Sequence, residues 1–381
     1  MNKSRTPNQT KVITKMVSLL GVLLLLIPLQ GCKFKDLDLR LFVVALGIDR
    51  SVEHPEKVSV TAKIAIPLGD PKQFDEKTQY LTEESVTIAE ALRKMKSRLD
   101  KELDFGHCKV VLLGESFARE DIRQAADWLA RRRDIQLLVF TAVARPSANE
   151  VLHVQPVSER LSGNSLLLAL SKDGTESPFI VGPTFSYELG RRMQEIGLDP
   201  IMPLAETKGK DGLDIDKAYI FDKQKAVLAL NTDETRIYNI LKEHNLITSL
   251  DLKFKGNQTA YSFSRSHSSF SIKEKADGRP YIRYKIKIQA SIEEDERNTI
   301  ITEAVLKEMS AAAEQQLNTQ VKSVLEKIQK SGTDPLGWGL RYRARHWGSL
   351  EAEKRAWEDM YAQLDFEVET RINMKYTGMI R

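Results

Sequence analysis

The alternation of side chains between residues 280 and 294 is the feature that most constrains the fold of this chain. Every second residue from Ile282 to Ile292 is apolar or aromatic, and the positions between them are charged or polar, as at Lys285. Because successive side chains of a strand point to opposite faces, this pattern predicts a strand with one buried and one wet face. Residues 364–376 repeat the pattern. We therefore expect an antiparallel-type sheet in the C-terminal part of the chain.

Two helices are predicted to pack on that sheet. Residues 298–331 place apolar side chains at helical spacing and would form a helix roughly 50 Å long at 1.5 Å per residue. A shorter helix is predicted over 351–362, after the helix-breaking segment GTDPLGWG. A sheet covered by helices defines an α+β domain, which we assign to residues 246–381.

The preceding residues are predicted to form two further domains, so that three mixed α/β domains give an α+β fold class. Short apolar strands alternate with amphipathic helices through residues 32–200, and a small middle domain spans 201–245. In the middle domain, two strands flank the turn 222–225, and a helix over 232–243 follows. Clusters of Gly, Pro, Asp and Lys indicate a partly mobile linker over 170–215.

Local signals mark several of these elements. The predicted strands of the first domain are 39–50, 58–68, 107–115 and 135–144, and its predicted helices are 85–99 and 119–134. Thr87 with Glu90 resembles a capping box, and Ser147 with Glu150 predicts a second capped helix. The helix of the middle domain is expected to be capped near Thr232 or Asp233.

The N-terminal segment resembles a lipoprotein signal peptide. An apolar core over residues 17–29 follows a basic flank and is too short for a comfortable membrane span of about 20 residues. It ends in Gln30, Gly31 and Cys32, which resemble a bacterial lipobox. The resemblance implies that residues 1–31 are removed after Gly31, and that Cys32 becomes an S-diacylglyceryl, N-acylated cysteine. The alternative is an uncleaved anchor helix. A lipidated body would lie at the outer face of the cytoplasmic membrane, because the basic flank stays inside.

The charge distribution argues against nucleic-acid binding. The formal net charge is +4, and four basic residues within residues 1–31 account for it, since no acidic residue lies there. The remainder of the chain is formally neutral and lacks the basic footprint of a DNA- or RNA-binding protein.

No catalytic, cofactor-binding or metal-binding residue is predicted. His107 and Cys108 are adjacent in a predicted strand and point to opposite faces, so a buried Cys108 is favoured over a nucleophile. The six histidines are scattered without zinc-ligand spacing, and no phosphate-binding loop is present. Three tryptophans at positions 338, 347 and 357 are expected to pack the C-terminal helices onto the sheet, although they would also suit a ligand site.

Several segments, taken in order with the lipobox, resemble the Ger(x)C (GerAC) family, the lipoprotein C subunits of bacterial spore germinant receptors. The segments are FVVALGIDR, FGHCKVVLLGE, RRRDIQL, DKAYIFDKQKAVLALNTDETR, YKIKIQASIEE, DPLGWGLRYRARHW and FEVETRINMKYTG. They extend over nearly the whole chain after Cys32, and none of them is a catalytic signature.

The resemblance implies a non-enzymatic subunit, built of three mixed α/β domains, at the inner membrane of spores. Its implied partners are an A-type membrane subunit and a B-type subunit similar to amino-acid transporters. Only Cys32 is carried over as a functional residue, the lipidation site. The oligomeric state stays open.

Two other classes of protein are weighed against this hypothesis. A solute-binding lipoprotein of a transport system would need two similar domains around a cleft, and the predicted patterns of the two halves differ. A cell-wall enzyme would need paired acids or a metal set, which the sequence does not offer.

Overall fold

The computed structural model describes residues 7–26, 37–66, 77–156, 164–171, 177, 179–182, 184–209, 211–296, 301–346 and 348–375. The chain divides into two compact units, residues 1–40 and residues 41–381. The first unit contains helix α1, Pro7–Leu26, and a short 3-10 helix, Leu37–Leu39. Among the described helices, none combines the length and the hydropathy that crossing a bilayer requires.

The second unit begins with a nine-stranded mixed sheet. Its strands are β1 Arg40–Arg50, β2 Val58–Ile66, β3 Lys77–Ser85, β4 Glu102–Asp104, β5 Val110–Gly114, β6 Phe140–Arg145, β7 Ile201–Lys208, β8 Gly212–Phe221 and β9 Ala226–Leu230. Their order is β3-β2-β1-β5-β6-β7-β8-β9, with β4 paired to β1. Strands β1, β5, β6 and β7 run parallel, and the outer strands are antiparallel.

Seven helices accompany this sheet within the described residues. They are α2 Ile88–Lys96, α3 Glu115–Glu120, α4 Arg123–Arg131, α5 Ala148–His153, α6 Asn164–Ser171, α7 Ser186–Gln194 and α8 Thr232–Lys242. The predicted caps are confirmed at Thr87 and Ser147, whose side chains accept the N–H of the residue three positions later. The cap predicted near Thr232 or Asp233 is instead Asn231, which forms a complete capping box with Glu234.

The strands of residues 201–230 extend the first sheet. Strand β7 pairs with β6 on one side and with β8 on the other, so the sheet runs across the predicted boundary at residue 200. The linker prediction is wrong for residues 186–194, which form α7, and for residues 201–208, which form β7. Ile201, Met202 and Leu204 are buried there, and this burial stabilises an ordered strand in spite of the polar flanking composition. The division into 32–200, 201–245 and 246–381 stays a prediction.

A four-stranded sheet occupies the C-terminal part. Its strands are β10 Thr248–Phe254, β11 Asn257–Glu274, β12 Pro280–Asp295 and β13 Asp365–Lys375, in that order. The alternation predicted for β12 is confirmed, because its apolar residues from Ile282 to Ala290 are buried and Lys285 and Lys287 are exposed. Strands β10, β11 and β12 are antiparallel, whereas β13 is parallel to β12. The long helical connection between β12 and β13 permits that parallel arrangement.

Three helices lie in that connection: α9 Glu303–Lys330, α10 Trp338–Arg343 and α11 Leu350–Tyr361. Helix α9 buries one stripe against the sheet, formed by Met309, Ala313, Leu317, Val321, Val324, Leu325 and Ile328.

Side chains of α9 also cover both edges of the four-stranded sheet. Gln316 accepts the N–H of Lys253 on β10 at 2.9 Å, and Asn318 accepts the N–H of Thr370 on β13 at 2.9 Å. These side chains satisfy backbone groups that an edge strand would otherwise present to another chain.

Candidate functional site

The predicted lipidation site, Cys32, lies outside the described residues, as does the predicted cleavage position after Gly31. Both stay predictions. The structure therefore bears on function through the other candidate residues and through the polar clusters of the second unit.

Cys108 is a buried core residue, as predicted. Its thiol is fully buried and donates to the carbonyl oxygen of Val110 at 3.6 Å. Burial raises the pKa of Cys108 to about 12, so the reactive thiolate is disfavoured at physiological pH. The neighbouring His107 is exposed and meets the ring of Phe42 edge-on at 5.0 Å. Cys108 therefore has neither the exposure nor the ionisation of a catalytic cysteine.

The histidines do not assemble a metal site in the described part of the chain. No group of three or more His, Cys, Asp or Glu side chains is placed there to hold an ion. His244 stacks on His267, with ring centroids 4.9 Å apart.

The C-terminal tryptophans pack in the core. Trp338 is fully buried, donates to the hydroxyl of Tyr284 at 2.6 Å, and lies against Phe366. Trp357 stacks on Tyr361 at 5.2 Å. These contacts confirm the packing prediction for Trp338 and Trp357, and Trp347 lies outside the described residues.

A buried carboxylate that the sequence did not predict lies in the helix-breaking segment GTDPLGWG, before α10. Asp334 accepts the backbone N–H groups of Gly337, Trp338 and Gly339 at 2.7, 3.0 and 2.6 Å. Burial raises the pKa of Asp334 to about 7. The three hydrogen bonds lower the pKa of this carboxyl, but their effect is smaller than that of burial. The segment DPLGWG could have indicated this arrangement, because an aspartate that precedes a glycine-containing turn often accepts hydrogen bonds from nearby backbone N–H groups.

Asp334 also joins this loop to the chain before β7. Its backbone N–H donates to Asp199 Oδ2 at 2.6 Å, and the N–H of Asp199 donates back to its carbonyl at 2.8 Å. Arg192 donates to the carbonyls of Asp199 and Pro335, and Lys223 Nζ lies 3.0 Å from Asp199 Oδ1. A cleft of about 420 Å³ adjoins this cluster. Because these charges are already paired with protein groups, the cluster holds the loop in place.

A second cluster lies at the carboxyl ends of β5 and β6. Arg145 Nε donates to Glu115 Oε2 at 2.6 Å, and Arg145 also donates to the hydroxyl of Tyr219 at 2.8 Å and to Glu206 at 3.2 Å. The hydrogen bond from Arg145 is the largest cause that lowers the pKa of Glu115 to about 2. Ligands often bind at this edge of an α/β sheet. Here Glu115 is a fixed anion near neutral pH, without a proton to exchange.

A third arrangement clamps the short helix α5 at both ends. The Asp49 carboxylate accepts the N–H groups of Ala148 and Asn149 at 2.7 and 2.9 Å. The buried Lys63 ammonium donates to the carbonyl of Leu152 at 2.9 Å. A negative group at the helix start and a positive group near its end are the favourable pairing with the helix dipole. These two charges are structural.

Comparison with known protein families gives two domain matches, which together span most of the chain. The domain described as the spore germination protein N-terminal domain matches residues 33–207. The domain described as spore germination B3/GerAC like, C-terminal, matches residues 216–378. The two domains define a class of spore germination proteins. The chain belongs to the GerAC family, the C subunits of germinant receptors.

Two relatives from Bacillus subtilis (strain 168) match along nearly their full length. One, named as spore germination protein YfkR, is 24% identical over 389 residues, which cover 94% of this chain and 96% of YfkR. Spore germination protein KC is 22% identical over 394 residues, covering 95% of this chain and 96% of that protein.

A solved structure shares the fold. The crystal structure of the GerBC protein matches with a TM-score of 0.57 and 18% identity, covering 86% of this chain and 96% of GerBC. The mixed α/β fold of this chain is therefore similar to the fold observed in the GerBC crystal structure. The family assignment gives the chain a role in spore germination.

Proposed function

We propose that this chain is a lipid-anchored, non-catalytic subunit of a nutrient germinant receptor that triggers spore germination. Residues 1–31 are removed, Cys32 carries the lipid, and the body lies at the outer face of the cytoplasmic membrane, which is the inner membrane of the spore. The subunit contributes to assembly or signalling of the receptor and performs no covalent chemistry.

One observation carries the proposal. The apolar run 17–29 is followed by Gln30, Gly31 and Cys32, and the family match begins at the next residue, 33. A family domain that starts immediately after the cysteine supports a processing site there. Two or more acyl chains would hold the body stably, at about 0.8 kcal/mol per buried CH₂.

The polar clusters support a non-catalytic role. Among the described residues, Glu115 and Asp334 have the most strongly shifted carboxylate pKa values. The Glu115 carboxylate is bound by side chains from several elements, and the Asp334 carboxylate by consecutive backbone N–H groups at the start of α10. Catalytic acids and bases need a partner position that is open to substrate. Glu115 instead joins distant segments of the chain, and the Asp334 carboxylate fixes the loop at the start of α10.

The proposed partners are the A-type membrane subunit and the B-type transporter-like subunit. Tethering confines the body to the membrane surface and raises its effective concentration near partners embedded in the same membrane. Weak interfaces then suffice for assembly. The solute-binding alternative expects two similar domains, and the nine-stranded and four-stranded sheets differ in strand number and order.

The proposal is tested in spores whose nutrient response depends on this receptor. We compare Cys32→Ala with Cys108→Ala, which removes the other cysteine of the chain. We expect nutrient-triggered germination and co-purification of A-type and B-type subunits to be lost in Cys32→Ala and retained in Cys108→Ala. Wild-type protein that never co-purifies with either subunit contradicts the receptor assignment. Full germination of Cys32→Ala spores contradicts the functional tether.

A further inference from the structure

An exposed apolar patch, which we name the Leu-Tyr patch, consists of Leu137, Leu138 and Tyr187. Leu137 and Leu138 are 59% and 58% exposed, and Tyr187 is 47% exposed. The three residues are neighbours, because the N–H of Tyr187 and the hydroxyl of Ser186 both donate to the carbonyl of Leu137, at 3.3 and 2.9 Å. Adjacent exposed leucines beside an exposed tyrosine mark a binding surface more often than scattered single residues do.

Two exposed arginines without ion-pair partners in the described ranges precede this patch in the chain, and Arg133 is four residues before Leu137. Arg131 and Arg133, at the end of α4, are exposed, and neither guanidinium has a carboxylate partner in the part of the chain that the structure describes. Asp134 is paired with Arg132, and Glu188 is paired with the arginines of α7. Asp127, one helical turn before Arg131, is exposed and makes no ion pair among the described residues. Two arginines against one aspartate leave the unpaired charge of the segment before the patch net positive.

The patch lies at the edge of the sheet where the second unit begins. Strands β1, β5 and β6 are parallel, and their register places Ala45, Val110 and Phe140 side by side. Parallel strands start at the same edge of a sheet, so the loop before Phe140, which holds Leu137 and Leu138, lies at the edge from which β1 starts. Leu41, the first residue of the second unit, is four residues before Ala45 at this edge.

The length of the chain sets how far this edge can be from a lipidated cysteine. Leu41 follows Cys32 by nine residues. Nine residues span at most about 30 Å when fully extended. If Cys32 carries the lipid, the start of β1 is held within that distance of the bilayer surface.

We infer that this edge of the nine-stranded sheet docks on a bilayer that contains anionic lipid. Leu137, Leu138 and Tyr187 enter the interfacial region, and Arg131 and Arg133 contact lipid phosphates. Apolar side chains beside unpaired arginines are the combination that favours an anionic membrane surface. The inference rests on the tether of the proposed function and adds an orientation of the body to it.

The test uses the full, processed lipoprotein reconstituted in vesicles with and without phosphatidylglycerol. An environment-sensitive fluorophore is attached to Leu138→Cys, or to Val52→Cys as the matched control. Val52 is an apolar residue, 95% exposed, that follows the opposite end of β1. Cys108 is buried and does not compete for the label. Lipid-borne quenchers placed near the headgroups then report which position contacts the bilayer.

We expect quenching and a blue shift at position 138 in anionic vesicles, and neither at position 52. The double variant Arg131→Gln, Arg133→Gln should lower the docked-to-undocked ratio at position 138 roughly fivefold per charge removed. Raised salt should have the same effect. Equal thermal melting of the labelled variants establishes that the fold is retained.

Three results overturn the inference. Acylated protein that floats with the vesicles but shows no quenching at position 138 removes the docking and leaves the tether intact. Shielding of position 138 only when A-type or B-type subunits are added assigns the patch to a protein partner. Protein without the acyl mass removes the tether and the docking together, and intact mass spectrometry distinguishes this case from the others.

Discussion

Asp199 and Asp334 are 135 residues apart in the chain and exchange two hydrogen bonds, at 2.8 and 2.6 Å. The pair connects the segment before β7 in the nine-stranded sheet to the loop between α9 and α10, which cover the four-stranded sheet. Its geometry depends on the cradle of three backbone N–H groups around the Asp334 carboxylate.

Asp334→Asn should destabilise the protein. The amide replaces one carboxylate oxygen by a donor, which faces backbone N–H groups and leaves them unsatisfied, at a cost of about 1–3 kcal/mol. Urea denaturation monitored by tryptophan fluorescence measures the change in the free energy of unfolding. Asp277→Asn is the control, since Asp277 is an exposed carboxylate that pairs with Arg279. An equal change in both variants would contradict the role given to Asp334.

The contribution of Glu115 should depend on pH in the acidic range. The hydrogen bond from Arg145 lowers the folded-state pKa of Glu115 to about 2, from the ordinary value of 4.5. The unfolded state therefore binds the proton more readily than the folded state. The stabilisation is fully present above about pH 4.5 and is lost as the pH falls towards 2.

Glu115→Gln should accordingly cost about 1–2 kcal/mol at pH 7, since hydrogen bonds to a charged group are lost and the site is partly solvated. The difference from wild type should shrink between pH 4.5 and pH 3. Denaturation curves over this range measure it, with Glu303→Gln as the exposed control. A difference that does not change with pH would argue against the ion pair with Arg145.

Two glycine substitutions should act in opposite directions. A Cβ at Gly339 would lie 2.5 Å from the Cα of Gly197 and 2.7 Å from Trp357 Nε1, so Gly339→Ala should destabilise by about 1–3 kcal/mol. Gly190, inside α7, has nothing within 4 Å of its added Cβ. Gly190→Ala should stabilise by about 0.5–1 kcal/mol through helix propensity. A melting temperature of Gly339→Ala equal to or above that of the wild type would contradict the close packing at Gly339, and a lowered one for Gly190→Ala would contradict the open space at Gly190.

Cys108 should report unfolding. Because its thiol is fully buried and its pKa is raised to about 12, we expect labelling by a thiol reagent to be slow in the native lipidated protein and immediate in denaturant. The labelling rate should increase with urea in parallel with unfolding. Rapid stoichiometric labelling of the native protein would mean that Cys108 is accessible.

The sequence pattern predicts the elements that are strongly periodic. Strand β12 and helix α9 follow from apolar residues at spacings of two and of three to four. Strand β12 is observed close to the predicted bounds, whereas α9 begins at Glu303, five residues after the predicted start. Strand β11 has serines at many positions and a register shift between Phe263 and Arg265, which interrupts the alternation. Periodicity alone therefore did not predict it.

The polar clusters were not predictable for a related reason. Asp199 meets Asp334, and Glu115 meets Arg145, only because distant strands and loops are brought together by the fold. No local spacing encodes those pairs. The burial of Cys108 was predictable because it precedes an apolar strand, and that of Trp338 because three tryptophans cluster near the predicted C-terminal helices.

The most direct measurement is the intact mass of the protein extracted from the membranes of a Gram-positive host, beside Cys32→Ala. The account predicts that the wild-type chain begins at Cys32 with a diacylglyceryl mass and partitions into the detergent phase, whereas Cys32→Ala carries no lipid mass. Wild-type protein that retains residues 1–31 and no acyl mass would contradict the tether. Residues 17–29 would then be an uncleaved anchor.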